Sequence, residues 1–153
     1  MPKVELSQVP VRQGSRYPKQ FRQVNGDTTL RESQQVAPGL TAFGANRTLL
    51  PPGAASSLRH YHTSEDELVI VLSGELIMLT NAGETPMRAG DIASFPKGVA
   101  DAHCFVNRSA EPAVLVAIGD NRDDDIWVYP DVGMRGSEHI GYVSIATGER
   151  FPE

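Results

Sequence analysis

A single cysteine, Cys104, stands among the 153 residues, so no disulfide can form within the chain. The thiol frameworks that staple small secreted domains are excluded. Long apolar runs are missing too. None approaches the ~20 residues that a membrane helix needs. The N-terminus, MPKVELSQVPVRQGSRYPKQF, lacks the apolar core of a signal peptide. Basic residues are in the minority, with 14 Lys and Arg against 19 Asp and Glu and a net charge of −5. No Lys/Arg cluster interrupts that balance, which argues against a nucleic-acid surface. These absences describe a cytoplasmic protein with neither a membrane nor a nucleic-acid partner. Helical periodicity is also scarce, because no long window keeps apolar residues at i, i+3, i+4 and i+7.

What is present is a rhythm of short strands. Eleven prolines and fourteen glycines punctuate runs rich in Val, Ile, Leu and Thr. The pattern predicts strands near 40–50, 57–62, 67–72, 75–80, 85–88, 91–95, 102–107, 112–119 and 126–129. Turns fall at LPPG, LSGE, NAGE and FPKG, where proline sets φ and glycine permits positive φ. An all-β sandwich or barrel follows. Three segments are expected: an N-terminal arm over 1–39, a barrel over 40–130 and a C-terminal tail over 131–153. The RDDD run at 122–125 reads as a solvated loop.

Chemistry concentrates in RHYHTSEDELVIVLSG, residues 59–74. On a strand, residues i and i+2 share a face. His60 and His62 therefore project together, and Arg59, Tyr61 and Thr63 project the other way. Glu67 opens the next strand and shares a face with Val69 and Val71. The link TSED is short enough to bring Glu67 beside the histidine pair. Glu65 and Asp66, in that link, read as solvated. A second cluster, GDIASFPKGVADAHCFVNRS at 90–109, carries His103, with Asp101 two residues earlier on the same face.

The two clusters read G-x6-H-x-H-x4-E-x6-G, from Gly53 to Gly74, and G-x5-P-x-G-x4-H-x3-N, from Gly90 to Asn107. The pair closely resembles the two signature motifs of the cupin superfamily, although the gaps before His60 and His103 are longer than usual. The short stretch between Gly74 and Gly90 is similar to that of small single-domain cupins. The resemblance implies a double-stranded β-helix, or jelly-roll barrel. It also implies a divalent transition metal held by His60, His62, Glu67 and His103. Three imidazoles and a carboxylate suit Fe, Mn, Ni, Co or Zn, and sequence does not choose among them.

The lead-in FGANRTLLPPG resembles small bacterial cupins that carry a sugar-phosphate isomerase-like label. A phosphosugar would want cations near the metal, for which Arg47, Arg59 and Lys97 are the candidates. Arg59 and Lys97 read more simply as surface charges. The implied function is metal-dependent chemistry on a small polar molecule with a carbonyl, carboxylate or sugar-like group. Isomerase, lyase, decarboxylase and dioxygenase reactions all stay open, with Asp101 as the candidate catalytic base. The competing reading is a binding or sensing module without turnover, and no helix-turn-helix pattern accompanies it. Exposed edges of a jelly roll favour a homodimer.

Overall fold

The computed structural model describes residues 2–153. It is built almost wholly from strands arranged as a jelly roll. The strands are β1 (Arg12–Gln13), β2 (Glu32–Gln35), β3 (Phe43–Leu50), β4 (Tyr61–His62), β5 (Glu67–Ser73), β6 (Glu75–Thr80), β7 (Gly83–Arg88), β8 (Ile92–Phe95), β9 (Cys104–Val106), β10 (Ala113–Asp120), β11 (Trp127–Tyr129), β12 (Met134–Ser137) and β13 (Gly141–Ser144). One sheet has the order β1-β2-β3-β10-β5-β8. Opposite it lie β13-β12-β11-β4 and β7-β6-β9, joined by isolated bridges at Ala55–Val106 and His60–His103. No described helix is long and apolar enough to cross a membrane.

Period-two alternation sets which side chains fill the interior. On β5, Val69 and Val71 are buried and Leu72 is half exposed, so Glu67 shares the inward face. Leu50, Val69, Val71, Leu76, Met87, Phe105 and Leu115 form the main core between the sheets. A second cluster joins Tyr17, Leu58, Tyr129 and Met134, with Phe21, Trp127, Tyr142 and Phe151 packed against it. Strands β2, β12 and β13 thus extend the sheets on both sides of residues 40–130.

The segment expected as a strand over 57–62 forms a ladder only at Tyr61–His62. The reason is a mismatch in length. Between the bridges at Ala55–Val106 and His60–His103, the first strand advances five residues and the second only three. The surplus loops out around Ser56–Arg59, and Ser57 and Leu58 fold back toward the His60 ring. Gly74 forms a corner where the chain leaves one sheet for the other, with φ at +76°.

Candidate metal centre

Backbone pairing assembles the site. His60 and His103 exchange both backbone hydrogen bonds, at 3.1 and 2.9 Å, so the two motifs meet edge to edge. His62 lies opposite Trp127 of β11. Glu67 is flanked by Gly119 of β10 and Phe95 of β8. Phe95 stacks on the His103 ring, with centroids 3.4 Å apart and planes 7° from parallel.

The structure gathers His60, His62 and Glu67 into one group able to hold a metal ion. His103 joins it through Glu67, its Nε2 lying 2.8 Å from Glu67 Oε1. The ring of His60 lies 5.1 Å from that of His62 and 4.9 Å from that of His103. His60 Nδ1 donates to the Leu58 carbonyl at 2.9 Å, which leaves Nε2 as the lone-pair nitrogen. His62 Nδ1 faces Asp125 Oδ2 at 2.6 Å. Its Nε2 is 3.3 Å from Glu67 Oε2, out of hydrogen-bonding alignment, and is a buried nitrogen without a hydrogen-bond partner. A buried orphan nitrogen facing a carboxylate, beside two more imidazoles, fits a divalent transition ion.

The electrostatics fit as well. Burial and the neighbouring His103 push His60 down to about 3, so its imidazole is neutral, as a metal ligand must be. Burial also works against a charge on His62, but the carboxylates of Glu67 and Asp125 outweigh it and lift that histidine to about 9. Burial would raise Glu67, yet His103 and His62 hold it well below the usual carboxylate range. An environment that favours a proton at this point also favours a metal cation in its place.

Beside His62 and His103 opens a cavity of about 60 Å³, also lined by Tyr61, Ser94, Phe95, Pro96, Val99 and Asp101. Its lining contains no arginine or lysine. Asp101 lines it, but its Oδ1 already accepts the Asn81 backbone N–H at 2.8 Å. The three candidate phosphate partners lie elsewhere. Arg59 forms a two-pronged pair with Asp131, at 2.8 and 2.9 Å. Arg47 reaches Gln34 at 3.4 Å, and Lys97 is exposed in the turn after β8.

Two acids depart from their sequence-based reading as solvated loop residues. Glu65 is only partly exposed; it accepts the Arg122 N–H, and its Oε2 lies 3.7 Å from His62 Nδ1. Asp125, the last acid of RDDD, is 5% exposed and contacts a histidine of the site. The apolar IWVY after it was a legible signal for a strand, but nothing local placed that strand against β4.

Comparison with known proteins bears on the fold and the family. The Cupin domain family matches residues 46–119. A crystal structure from Silicibacter pomeroyi, named as a sugar phosphate isomerase from a cupin superfamily, shares 38% identity. The match covers 93% of this chain and 90% of that one, with a TM-score of 0.83. A structure from Acidithiobacillus ferrooxidans, provisionally named for the same activity, shares 29% identity over 81% of this chain and 82% of that one, with a TM-score of 0.71. A predicted oxalate decarboxylase from Thermotoga maritima shares the fold at 22% identity, with a TM-score of 0.63 over 78% of this chain and 99% of that one. No curated protein sequence matches the chain. Fold, paired motifs and relatives together place this chain in the cupin superfamily.

Proposed function

We propose that the chain is a metal-dependent enzyme of isomerase type. Its metal would be held by His60, His62, Glu67 and His103, and its substrate would be a small polar molecule bearing carbonyl and hydroxyl oxygens. The observation that carries this reading is the grouping of three imidazoles around the partly buried Glu67 carboxylate, beside a cavity of about 60 Å³. A bound divalent ion supplies Lewis acidity toward a substrate oxygen. The protein's own part is to orient the donors. Leu58 holds His60 with Nδ1 protonated, and Phe95 fixes the plane of His103. Phe95, Pro96 and Val99 supply the apolar part of the cavity lining. The isomerase assignment draws on the relative with 38% identity. The cavity favours an uncharged oxygen-rich group at the metal, since its lining has no cation to meet a phosphate.

One observation favours a second reading, reversible binding without turnover. Among the described residues Asp101 is the only carboxylate lining the cavity, and its Oδ1 is already taken by the Asn81 backbone N–H. A single experiment separates the two. Protein purified without chelator is analysed for metal, alongside His62→Ala and Tyr61→Phe. Small hydroxy-aldehydes and hydroxy-ketones are then screened with the identified ion restored. Metal in the wild type and Tyr61→Phe but not in His62→Ala, with turnover proportional to metal, supports the enzyme. Saturable binding without turnover supports the second reading. A wild type without metal overturns both.

A further inference from the structure

We infer that Asp125 is a positioning residue for the metal centre, which holds His62 with Nδ1 protonated and Nε2 directed at the ion. The inference rests on the metal reading above. Asp125 lies on the segment that enters β11. Thr63 and Ile126 exchange hydrogen bonds at the end of the β4–β11 ladder, through Thr63 N–H to the Ile126 carbonyl and Ile126 N–H to Thr63 Oγ1. That pairing carries the Asp125 side chain under the start of the TSED link. There its two oxygens have different duties. Oδ1 accepts the backbone N–H groups of Ser64, at 2.9 Å, and Glu65, at 3.2 Å. Oδ2 faces His62 Nδ1 at 2.6 Å. The side chain is 3% exposed, so water does not replace these partners.

The division of labour has a chemical consequence. A carboxylate offers only acceptors, so the nitrogen facing it must carry a proton. His62 then has only Nε2 with which to ligate. Carboxylate–imidazole–metal chains of this kind fix the tautomer and ring orientation and strengthen the imidazole as a donor. The same contacts tie the TSED link, and hence the approach to Glu67, to the ring of His62.

Asparagine inverts this arrangement without changing its shape. The two N–H groups of Ser64 and Glu65 require an oxygen, so the side-chain oxygen of Asp125→Asn stays with them. Its NH2 group then faces Nδ1, which must accept, and the proton moves to Nε2, where the metal would bind. Asp125→Ala removes the carboxylate charge equally but imposes no donor on Nδ1. In that variant Glu65, with Oε2 at 3.7 Å, can take over as acceptor. Asp125→Asn should therefore weaken metal binding more than Asp125→Ala, although it preserves the backbone contacts and should unfold at a higher denaturant concentration.

The test measures Zn(II) and Mn(II) affinity by chelator competition for wild type, Asp125→Asn and Asp125→Ala. Urea unfolding and the 15N shifts of the His62 ring are measured on the metal-free proteins. The expected result is a roughly 10- to 100-fold loss of affinity in Asp125→Asn, a smaller loss in Asp125→Ala, and Nδ1 changing from protonated to unprotonated in Asp125→Asn. Wild-type affinity in Asp125→Asn, or losses that follow the order of unfolding, would overturn the inference. A wild type that binds neither ion refutes the metal reading. In that case the Nδ1 shift still decides whether Asp125 sets the tautomer, and an Nδ1 unchanged in Asp125→Asn would refute that too.

Discussion

Arg59 sits between a core residue, Leu58, and a site residue, His60. Its guanidinium grips Asp131 with two prongs and also donates to Asn81 Oδ1, at 3.2 Å, and to the Ala102 carbonyl, at 3.1 Å. The sequence reading made it a surface charge aimed away from the histidines. Its partners lie 22, 43 and 72 residues away and leave no local trace. The Arg59 guanidinium holds the Asp131 carboxyl below its ordinary value. A carboxylate lowered in the folded state contributes stability above the unfolded value, near ~4, and loses it as pH falls through the folded value. Asp131→Asn should therefore cost about 1 kcal/mol at pH 7, the upper range for a partly exposed pair. Urea midpoints of the two proteins should converge as the pH is lowered toward 3. A gap that persists unchanged into acid would mean that the contact acts by packing and not by charge.

Among the elements, the motif strands were legible because period two is a local property. Glu67, Val69 and Val71 were assigned to one face, and the burial of both valines agrees. The brevity of β4 was not legible, because it depends on the two surplus residues between its bridges with β9. Nor was the pairing of β12 onto β11 and of β13 onto β12, which places the tail at the far edge of the sheet containing β4. Turn glycines were readable as turns, but their differing costs emerge only in three dimensions. A Cβ at Gly74 would fall 2.7 Å from the Pro112 carbonyl oxygen and 2.8 Å from Ala113 Cα, both backbone. At Gly83, which also has positive φ, a Cβ would meet nothing within 4 Å. Gly83→Ala should cost about 1–2 kcal/mol, the penalty of the left-handed region. Gly74→Ala should cost about 2–4 kcal/mol, since overpacking against a fixed backbone adds to that penalty. Denaturant unfolding of both variants checks the difference, and equal costs would mean that the Gly74 corner can shift.

For the whole molecule, the site lies where separate pieces of the fold close on one another. His60 and His62 come from β4 and the residue leading into it, Glu67 from the start of β5, His103 from the residue before β9 and Asp125 from the segment entering β11. The first four stood out as candidates through the motif resemblance, whereas Asp125 required the β4–β11 register. Such a site forms only when the barrel is closed, so an ion that binds it must favour the folded state. At a free metal concentration one hundred times Kd, the stabilisation is ~2.7 kcal/mol. A domain of this size gains ~2–4 °C in Tm for each kcal/mol, so the wild type should melt ~5–10 °C higher with saturating metal than with chelator. His62→Ala removes a donor and keeps the other strands in place, so the same metal should move its Tm little. Differential scanning calorimetry of both proteins, with and without metal, measures the two shifts. Equal shifts would place the ion away from His62 and reduce RHYHTSEDE to a polar approach to a buried strand.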